Sequence, residues 1–240
     1  MTERIAYFSK LTKRLLFLLL LLARAATTHA QALPTWHWTA QAGGPDWTGP
    51  SSLTTDKQGN VIVVGAFFGQ TFFGATTFAA TPSPIPAPFA HEDIFIAKYT
   101  ATGKLRWVRT AGGAGHDTPS QVTTADDGSI YVTGEFGANG TSRGLTATFG
   151  AVTLTSRGNG EAFLAKYDST GLLCWVRQAD RPLNDNTAFS HGLDVAVDAQ
   201  QQVYWTGIYS GLVTLAGTAV AGLGDHTVYL AKLTPTGVVR

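Results

Sequence analysis

The sequence is poor in residues that form cross-links or bind metals. Its 240 residues include one cysteine, Cys174, and one methionine, and only 14% are charged. A single cysteine excludes an internal disulfide bond, and the cysteine and histidine residues do not have the spacing of a zinc site. We interpret Cys174 as a small apolar strand residue; a reactive thiol is the alternative.

Basic runs and helical periodicity are missing as well. Beyond the N-terminus, no segment repeats its apolar residues with the period of a helix, which predicts a chain without helices there. Without residues 1–30, 12 basic and 15 acidic residues would remain, a net charge of −3. A mildly acidic chain argues against nucleic acid and against anionic membranes as partners.

The N-terminus is predicted to be a secretory signal peptide covering residues 1–32. Lys10, Lys13 and Arg14 form a basic start before an apolar run of nine, Leu15 to Ala23, which is too short to span a bilayer. An Ala-x-Ala cleavage pattern follows at residues 30–32, with a second candidate at residues 28–30. We therefore expect a secreted or cell-surface protein with no membrane span in the mature chain; an uncleaved anchor is the alternative.

What the chain does contain is one pattern that occurs three times. The phrase Gly-Asn-Val-Ile-Val-Val-Gly at 59–65 returns at 128–134 and 201–207, and Ile-Phe-Ile-Ala-Lys-Tyr at 94–99 returns at 162–167 and 228–233. A Thr-Gly turn and a tryptophan strand complete the unit, which repeats about every 68 residues. The recurring residues are predicted to be structural: Trp38, Trp107, Trp175, Gly65, Gly134, Gly207, Lys98, Lys166, Lys232, Gly103, Gly171 and Gly237.

Each unit reads as four short strands joined by short connections, which is the pattern of an antiparallel β-propeller blade. The fold class is therefore predicted to be all-β, a propeller-like array over residues 33–240 with copies at about 36–107, 107–175 and 175–240. A solenoid is the alternative. A further apolar stretch in each copy is predicted to be a fifth strand or a packed loop: 72–78, 148–154 and 213–220.

The count of strands suggests an incomplete ring. The segment from Trp38 to Ala42 matches the tryptophan strand of the next copy, whereas the third copy stops before its own. Propellers normally hold about four to eight blades, so three leave two exposed flanks. We expect a fragment of a longer surface protein, self-association with another copy, or an open wedge, the last being disfavoured.

The ordered motifs resemble the SBBP family of bacterial β-propeller repeat proteins. They include Asp56-x-x-Gly59-Asn60, Asp93-x-Phe95-x-Ala97-Lys98-Tyr99 and Gly103-x-x-x-Trp107, and they recur in the second copy. The third copy departs most, with Gln201 in place of the turn glycine. The resemblance implies an exported or surface protein and a propeller architecture, and it implies no reaction.

Candidate ligand-binding residues lie in the connections. Asp46, Asp117 and Asp185 recur after the glycine-rich connection, where they could bind Ca²⁺ or cap the turn through their own backbone. Capping is the favoured interpretation, because no complete calcium loop is present. His91, Asp93 and His116 could also contact a ligand, but their spacing matches no metal motif, so we predict solvated loop residues and neither a metal nor a cofactor.

Aromatic residues and variable loops offer the remaining candidates. Phe67 and Phe68 could form a platform for a sugar or a protein, although packing between blades explains them better. The loops that differ among the copies, at 80–88, 137–144 and 181–190, are the better candidates for specificity, because binding residues often lie on loops over a rigid scaffold.

The function predicted from the sequence is an exported, non-enzymatic scaffold that binds a protein or a glycan through its variable loops. No residue is predicted to be catalytic. One alternative is a hydrolase or lyase acting on polysaccharide in a propeller channel, which requires convergent carboxylates from different blades. Another is a truncated fragment with no function of its own.

Overall fold

A computed structural model describes residues 37–82, 91–138, 144–180, 188–215 and 217–239. The predicted signal peptide, Asp185 and the greater part of the three variable loops lie outside these ranges. The described strands belong to one compact unit, Trp38–Arg240. Over the residues described, no helix is long and apolar enough to cross a membrane.

Eighteen β-strands account for the regular structure of the described residues. In chain order they are β1 (Ala42–Gly43), β2 (Thr48–Thr55), β3 (Val61–Phe67), β4 (Gln70–Phe73), β5 (Thr76–Ala79), β6 (Asp93–Tyr99), β7 (Leu105–Gly113), β8 (His116–Thr124), β9 (Ile130–Ala138), β10 (Thr146–Phe149), β11 (Val152–Thr155), β12 (Glu161–Tyr167), β13 (Leu173–Asp180), β14 (Ser190–Val197), β15 (Val203–Tyr209), β16 (Leu212–Leu215), β17 (Thr218–Ala221) and β18 (Thr227–Leu233).

The strands form three antiparallel blades in series, which confirms the predicted all-β, propeller-like array. Blade 1 contains β2, β3, β6 and β7, and blade 2 contains β8, β9, β12 and β13. Blade 3 contains β14, β15 and β18, and among the described residues no full fourth strand follows. The first strands of the three blades are neighbours, so the blades stand side by side around β2, β8 and β14.

The extra apolar stretch of each copy forms a two-stranded hairpin that belongs to the sheet of the preceding copy. Hairpin β10–β11 lies in the chain between strands of blade 2, yet β10 pairs with β7, the last strand of blade 1. Hairpins β16–β17 and β4–β5 pair in the same way with β13 and β1. The sequence predicted a strand or a packed loop, and the structure shows a hairpin that ties neighbouring copies together.

The segment Trp38–Ala42 differs from its predicted strand. Only Ala42–Gly43 forms a strand, paired with β4, while residues 38–41 have no ladder partner. A strand is held by hydrogen bonds to a neighbour, and the blade to which this segment would add is absent from the described chain. The repeat pattern predicts a strand at this segment, but it does not show which strand would pair with it.

Apolar side chains pack mainly between blades. The third strands of blades 1 and 2 are buried on both faces, so β6 and β12 lack the alternation of a half-exposed strand. One cluster joins Ile62 and Ile96 of blade 1 to Val132 and Phe163 of blade 2. A second joins blade 2 to blade 3 around Trp205. The blades therefore stabilise one another through a continuous series of inter-blade cores.

A tryptophan of each copy latches onto the turn of the next. The Trp107 indole donates to the Ser169 carbonyl at 3.3 Å, and a Cβ at Gly171 would lie 3.0 Å from the same indole. Trp38 lies in the same way over Gly103, and Trp175 over Gly237. The indole needs a turn without a side chain, and the turn needs a positive φ, which is 82° at Gly171. This contact explains why tryptophan and glycine recur together.

The three recurring lysines lie beside the same turns. Lys98 forms a 2.9 Å ion pair with Asp56 and a 3.4 Å hydrogen bond to the Ser169 carbonyl. Lys166 donates to the Pro235 carbonyl at 3.3 Å. Lys232 lies 4.9 Å from the Tyr204 ring centroid. The lysines therefore have structural contacts within and between blades, as expected of residues that recur in every copy.

Candidate functional site

The two ends of the blades differ in construction. At the turn end, tight turns join the first strand of each blade to its second, and the third to the fourth; their hydrogen bonds recur, as in Asp56 N to Asn60 O and Ala125 N to Ser129 O. At the loop end lie the hairpins and the described links between blades. The recurring tryptophans, lysines and turn glycines thus lie at the turn end, and residues that differ among the copies, such as Trp47 and Phe189, lie at the loop end.

A polar cavity of about 630 Å³ opens at the turn end between blades 1 and 2. Its walls include Asp56, Lys98, Trp107 and Arg109. Arg109 donates from Nε to the Gly171 carbonyl at 3.0 Å and stacks over Trp107. Because these residues make the latch between blades, the cavity is a consequence of blade packing, and we place the candidate site at the other end.

At the loop end, each blade has one planar ring at or just before the start of its first strand. The conserved glycines Gly65, Gly134 and Gly207 pair with Pro50, Pro119 and Gly192 on those first strands. Trp47, His116 and Phe189 are the residues three positions before Pro50, Pro119 and Gly192, and each has a planar ring. Since the first strands are neighbours, the three rings belong to the same end of the array, and we call this set of residues the ring row.

Trp47 is the most accessible member of the ring row. Its side chain is 49% exposed and stacks on Phe68, with ring centroids 6.3 Å apart and planes 13° from parallel. The Phe68 amide donates to the Trp47 carbonyl at 3.1 Å, which fixes the two residues side by side. An exposed aromatic pair on a fixed backbone suits stacking against a ligand, because little side-chain entropy is lost on binding.

The other two rings sit among histidines and glutamates. His116 pairs through Nδ1 with Glu92, and its ring lies 4.7 Å from that of His91. Phe189 contacts the His191 ring, with centroids 5.1 Å apart. His191 in turn lies 2.6 Å from Glu135, measured from Nε2 to Oε2. The ring row therefore combines flat surfaces with titratable groups.

Two buried aspartates, Asp93 and Asp117, accept hydrogen bonds from backbone segments of the loop end. Asp117 accepts the Gly113 amide at 2.7 Å and the Gly137 amide at 2.9 Å, and Asp93 accepts the amide and hydroxyl of Thr81 at 2.8 and 3.0 Å. Burial raises the pKa of both carboxyls, and the charge of Asp93 raises that of Asp117 further. Both aspartates order backbone segments, so their observed contacts are structural.

His91 and His116 should titrate on opposite sides of the ordinary histidine pKa of about 6.5. The hydrogen bond to Glu92 raises the pKa of His116, whereas burial, and then the charge of His116, lower the pKa of His91. NMR titration of the imidazole resonances measures both values. The Glu92→Gln variant should lower the pKa of His116 because it removes the carboxylate.

The two histidines then act on stability with opposite signs. The contribution of His91 is fully present above its unfolded pKa and is lost as the pH falls through the lowered folded value. The contribution of His116 is present below its unfolded pKa and is lost as the pH rises through the raised folded value. A common, unshifted titration midpoint for the two rings would contradict this account.

The structure separates the candidate residues predicted from the sequence. Phe67 is fully buried in the core of blade 1, and His91, Asp93 and Asp117 are also buried. Phe68 and His116 are half-buried at the loop end. Asp185 lies outside the described residues. Of the accessible candidates, Phe68 and His116 therefore belong to the ring row or contact it.

The calcium interpretation gains no support from the aspartates that are described. Asp46 accepts the Gln70 amide at 2.9 Å, and Asp117 accepts two backbone amides, so both hold connections in place. Among the described residues, no group of three or more His, Cys, Asp or Glu side chains could hold a metal ion.

Sequence reasoning missed three residues of this end: Trp47, Phe189 and Glu135. They differ among the copies, so the repeat pattern does not mark them. For Trp47 and Phe189 the signal is positional, because each immediately precedes the first strand of its blade. Aligning the copies by their conserved glycines reveals it.

The fold and its repeated latches define a β-propeller-like repeat protein. No family model matches the chain. A search of curated proteins found similarity to an uncharacterized WD repeat-containing protein of Acanthamoeba polyphaga mimivirus, at 29% identity over 66% of this chain and 12% of the relative. WD repeats are four-stranded propeller blades, which agrees with the sheets described above. The matched region spans only a small part of that relative's length.

Proposed function

We propose that this protein is an exported, non-enzymatic propeller repeat protein of the SBBP type that binds a protein partner through its loop end. Glycan is the alternative ligand. The observation that carries the proposal is that the turn end and the loop end are built from different sets of residues. The recurring tryptophans and turn glycines make blade-to-blade contacts at the turn end, whereas the loop end presents rings that differ among the copies.

The ring row supports binding rather than hydrolysis. Trp47 and Phe68 present an exposed aromatic face, and aromatic residues are enriched among residues that dominate binding energy. Of the nearby carboxylates, Asp93 and Asp117 are buried and hold backbone amides, and Glu92 and Glu135 are paired with His116 and His191. A glycosidase pair must instead reach a scissile bond from both sides.

A photo-reactive amino acid at Trp47 tests this proposal on cells that make the protein. Irradiation should attach a partner at position 47 but not at position 172, because Leu172 is exposed at the turn end. Mass spectrometry identifies an attached protein, and periodate or glycosidase treatment reveals an attached glycan. Equal attachment at both positions, or attachment only at 172, would overturn the assignment to the loop end.

Affinity for the captured partner should then depend on the aromatic pair. We expect Trp47→Ala to weaken binding about 10- to 30-fold, the loss of about 1.4–2 kcal/mol that is usual for an aromatic residue at the centre of an interface. Leu172→Lys is the matched control, because Lys104 occupies the same position in the previous copy. Isothermal titration with the purified partner measures both variants.

A further inference from the structure

Blade 3 exposes a face whose counterparts in blades 1 and 2 are buried. On the third strand of blade 1, Ile94 and Ile96 are each 1% exposed, because blade 2 packs on them. The corresponding residues of blade 3 are Val228 and Leu230, which are 71% and 73% exposed. They lie on β18, which pairs with β15 on one side and has only an isolated bridge from Leu233 to Val239 on the other.

The segment at residues 38–41 is the complement of this edge. The Trp38 indole donates to the Ala101 carbonyl at 3.0 Å, as the Trp107 indole does to Ser169 of the next copy. Trp38 is thus latched onto blade 1 in the position of a preceding blade's last strand. Residues 38–41 have no ladder partner, however, and a groove of about 350 Å³ beside them is lined by Leu53 and Val63.

We propose that two copies of this chain associate head to tail, so that residues 38–42 of each copy complete blade 3 of the other. The face of blade 1 that carries Leu53 and Val63 then packs on the exposed face of blade 3. Blade 2 packs on blade 1 in the same way. The three described blades of two copies make six, within the range of about four to eight that closes a propeller. Two identical contacts close under a twofold axis.

The register of this contact follows from the two complete blades. Lys98 pairs with Trp107 and Ile96 with Arg109 in blade 1, and blade 2 repeats both pairs. By the same spacing, Lys232 faces Trp38 of the second copy, and Leu230 faces Ala40. Lys98 and Lys166 also donate to the second residue before a turn glycine. Lys232 is therefore expected to donate to the Ala101 carbonyl of the second copy.

The oligomeric state of the 240-residue chain is the first test, measured by size exclusion with light scattering. We expect the mass of two chains, and Leu230→Asp should reduce it to one because a charge enters the apolar contact. Leu172→Lys, at an exposed position outside the contact, should leave two chains. Far-ultraviolet circular dichroism checks that each variant keeps its strands.

A cross-link tests the register itself. In a Cys174→Ser background, Leu230→Cys with Ala40→Cys should form a covalent dimer on oxidation, since facing residues on antiparallel strands have Cα atoms about 4.5–5.5 Å apart. Leu230→Cys with Thr39→Cys should not, because adjacent residues point to opposite faces. The mass of one chain, a ladder of larger masses, or equal cross-linking in both pairs would each overturn the closed six-bladed ring.

Discussion

Replacing Gly134 with alanine should destabilise the protein by about 3 kcal/mol or more, although only one methyl group is added. Gly134 lies in the middle of β9, opposite Pro119 of β8. A Cβ there would overlap the Thr118 carbonyl oxygen and crowd the ring of Phe163. The first obstacle is backbone held in a ladder, so it cannot move aside as a flexible side chain would.

The same arrangement occurs in the other two copies. A Cβ at Gly65 would meet the Gly49 carbonyl and the Phe95 ring, and one at Gly207 would meet the His191 carbonyl and Tyr229. In each blade, therefore, a ring of the third strand packs on a glycine of the second. The glycine is required by close packing and not by a positive φ, since none of the three has one.

Urea denaturation of the Gly134→Ala protein measures the effect, with Gly224→Ala as the matched control. A Cβ at Gly224 would meet nothing within 4 Å, so that variant should stay within about 0.5 kcal/mol of the parent. A loss at Gly134 as small as that of the control would mean that β8 yields to the new methyl group, and the packing argument would be wrong.

Local sequence pattern predicted the parts of this fold that depend on local contacts. The strand phrases, the tight turns and the glycines at 59 and 128 with positive φ all follow from short-range chemistry. Gln201, which replaces the third of these glycines, adopts the same left-handed conformation, with φ of 62°. Turn geometry imposed by the flanking strands outweighs the cost of its side chain.

Features that join two copies could not be predicted in this way. Hairpin β10–β11 has the composition of any short hairpin, and nothing in it specifies that β10 pairs with β7 of the preceding blade. The ring row could not be predicted for a related reason, because Trp47, His116 and Phe189 are three different residue types and do not repeat in the sequence. His91 contacts the ring of His116, which belongs to the next blade and is distant in sequence.

Asp56→Ala should cost about 3 kcal/mol of stability, because it leaves Lys98 buried without its partner. Both side chains are only 2% exposed, and their charged atoms are 2.9 Å apart. Asp56 also accepts the amides of Gln58 and Asn60 at 3.0 and 2.9 Å, so the variant loses a turn contact as well. The cavity beside the pair admits solvent, which places the expected loss at the lower end of the range for a broken buried pair.

The pH dependence of this effect has a definite sign. Burial tends to raise the pKa of Asp56, but hydrogen bonds from Asn60 and Lys98 outweigh it, and the pKa is lowered overall. The stabilising contribution is therefore present above the unfolded pKa of aspartate, about 3.9, and is lost as the pH falls through the folded value. The difference in unfolding free energy between parent and variant should shrink in acid.

The other two copies show how to restore a partner for Lys98. Blade 2 has Ala125 where blade 1 has Asp56, and there Lys166 lies 5.3 Å from the centroid of the Tyr131 ring. Tyr131 corresponds to Ile62, since each pairs with the lysine of its own blade. Adding Ile62→Tyr to Asp56→Ala should therefore recover about 1–2 kcal/mol through a desolvated cation–π contact.

Equilibrium denaturation of the parent, both single variants and the double variant forms a cycle that isolates this coupling. Ile62→Tyr alone should destabilise the parent, because it enlarges a fully buried side chain while Asp56 already satisfies Lys98. The double variant should be more stable than the sum of the two losses predicts. Additive losses would show that Lys98 does not use the ring, and that the three blades satisfy their lysines by unrelated means.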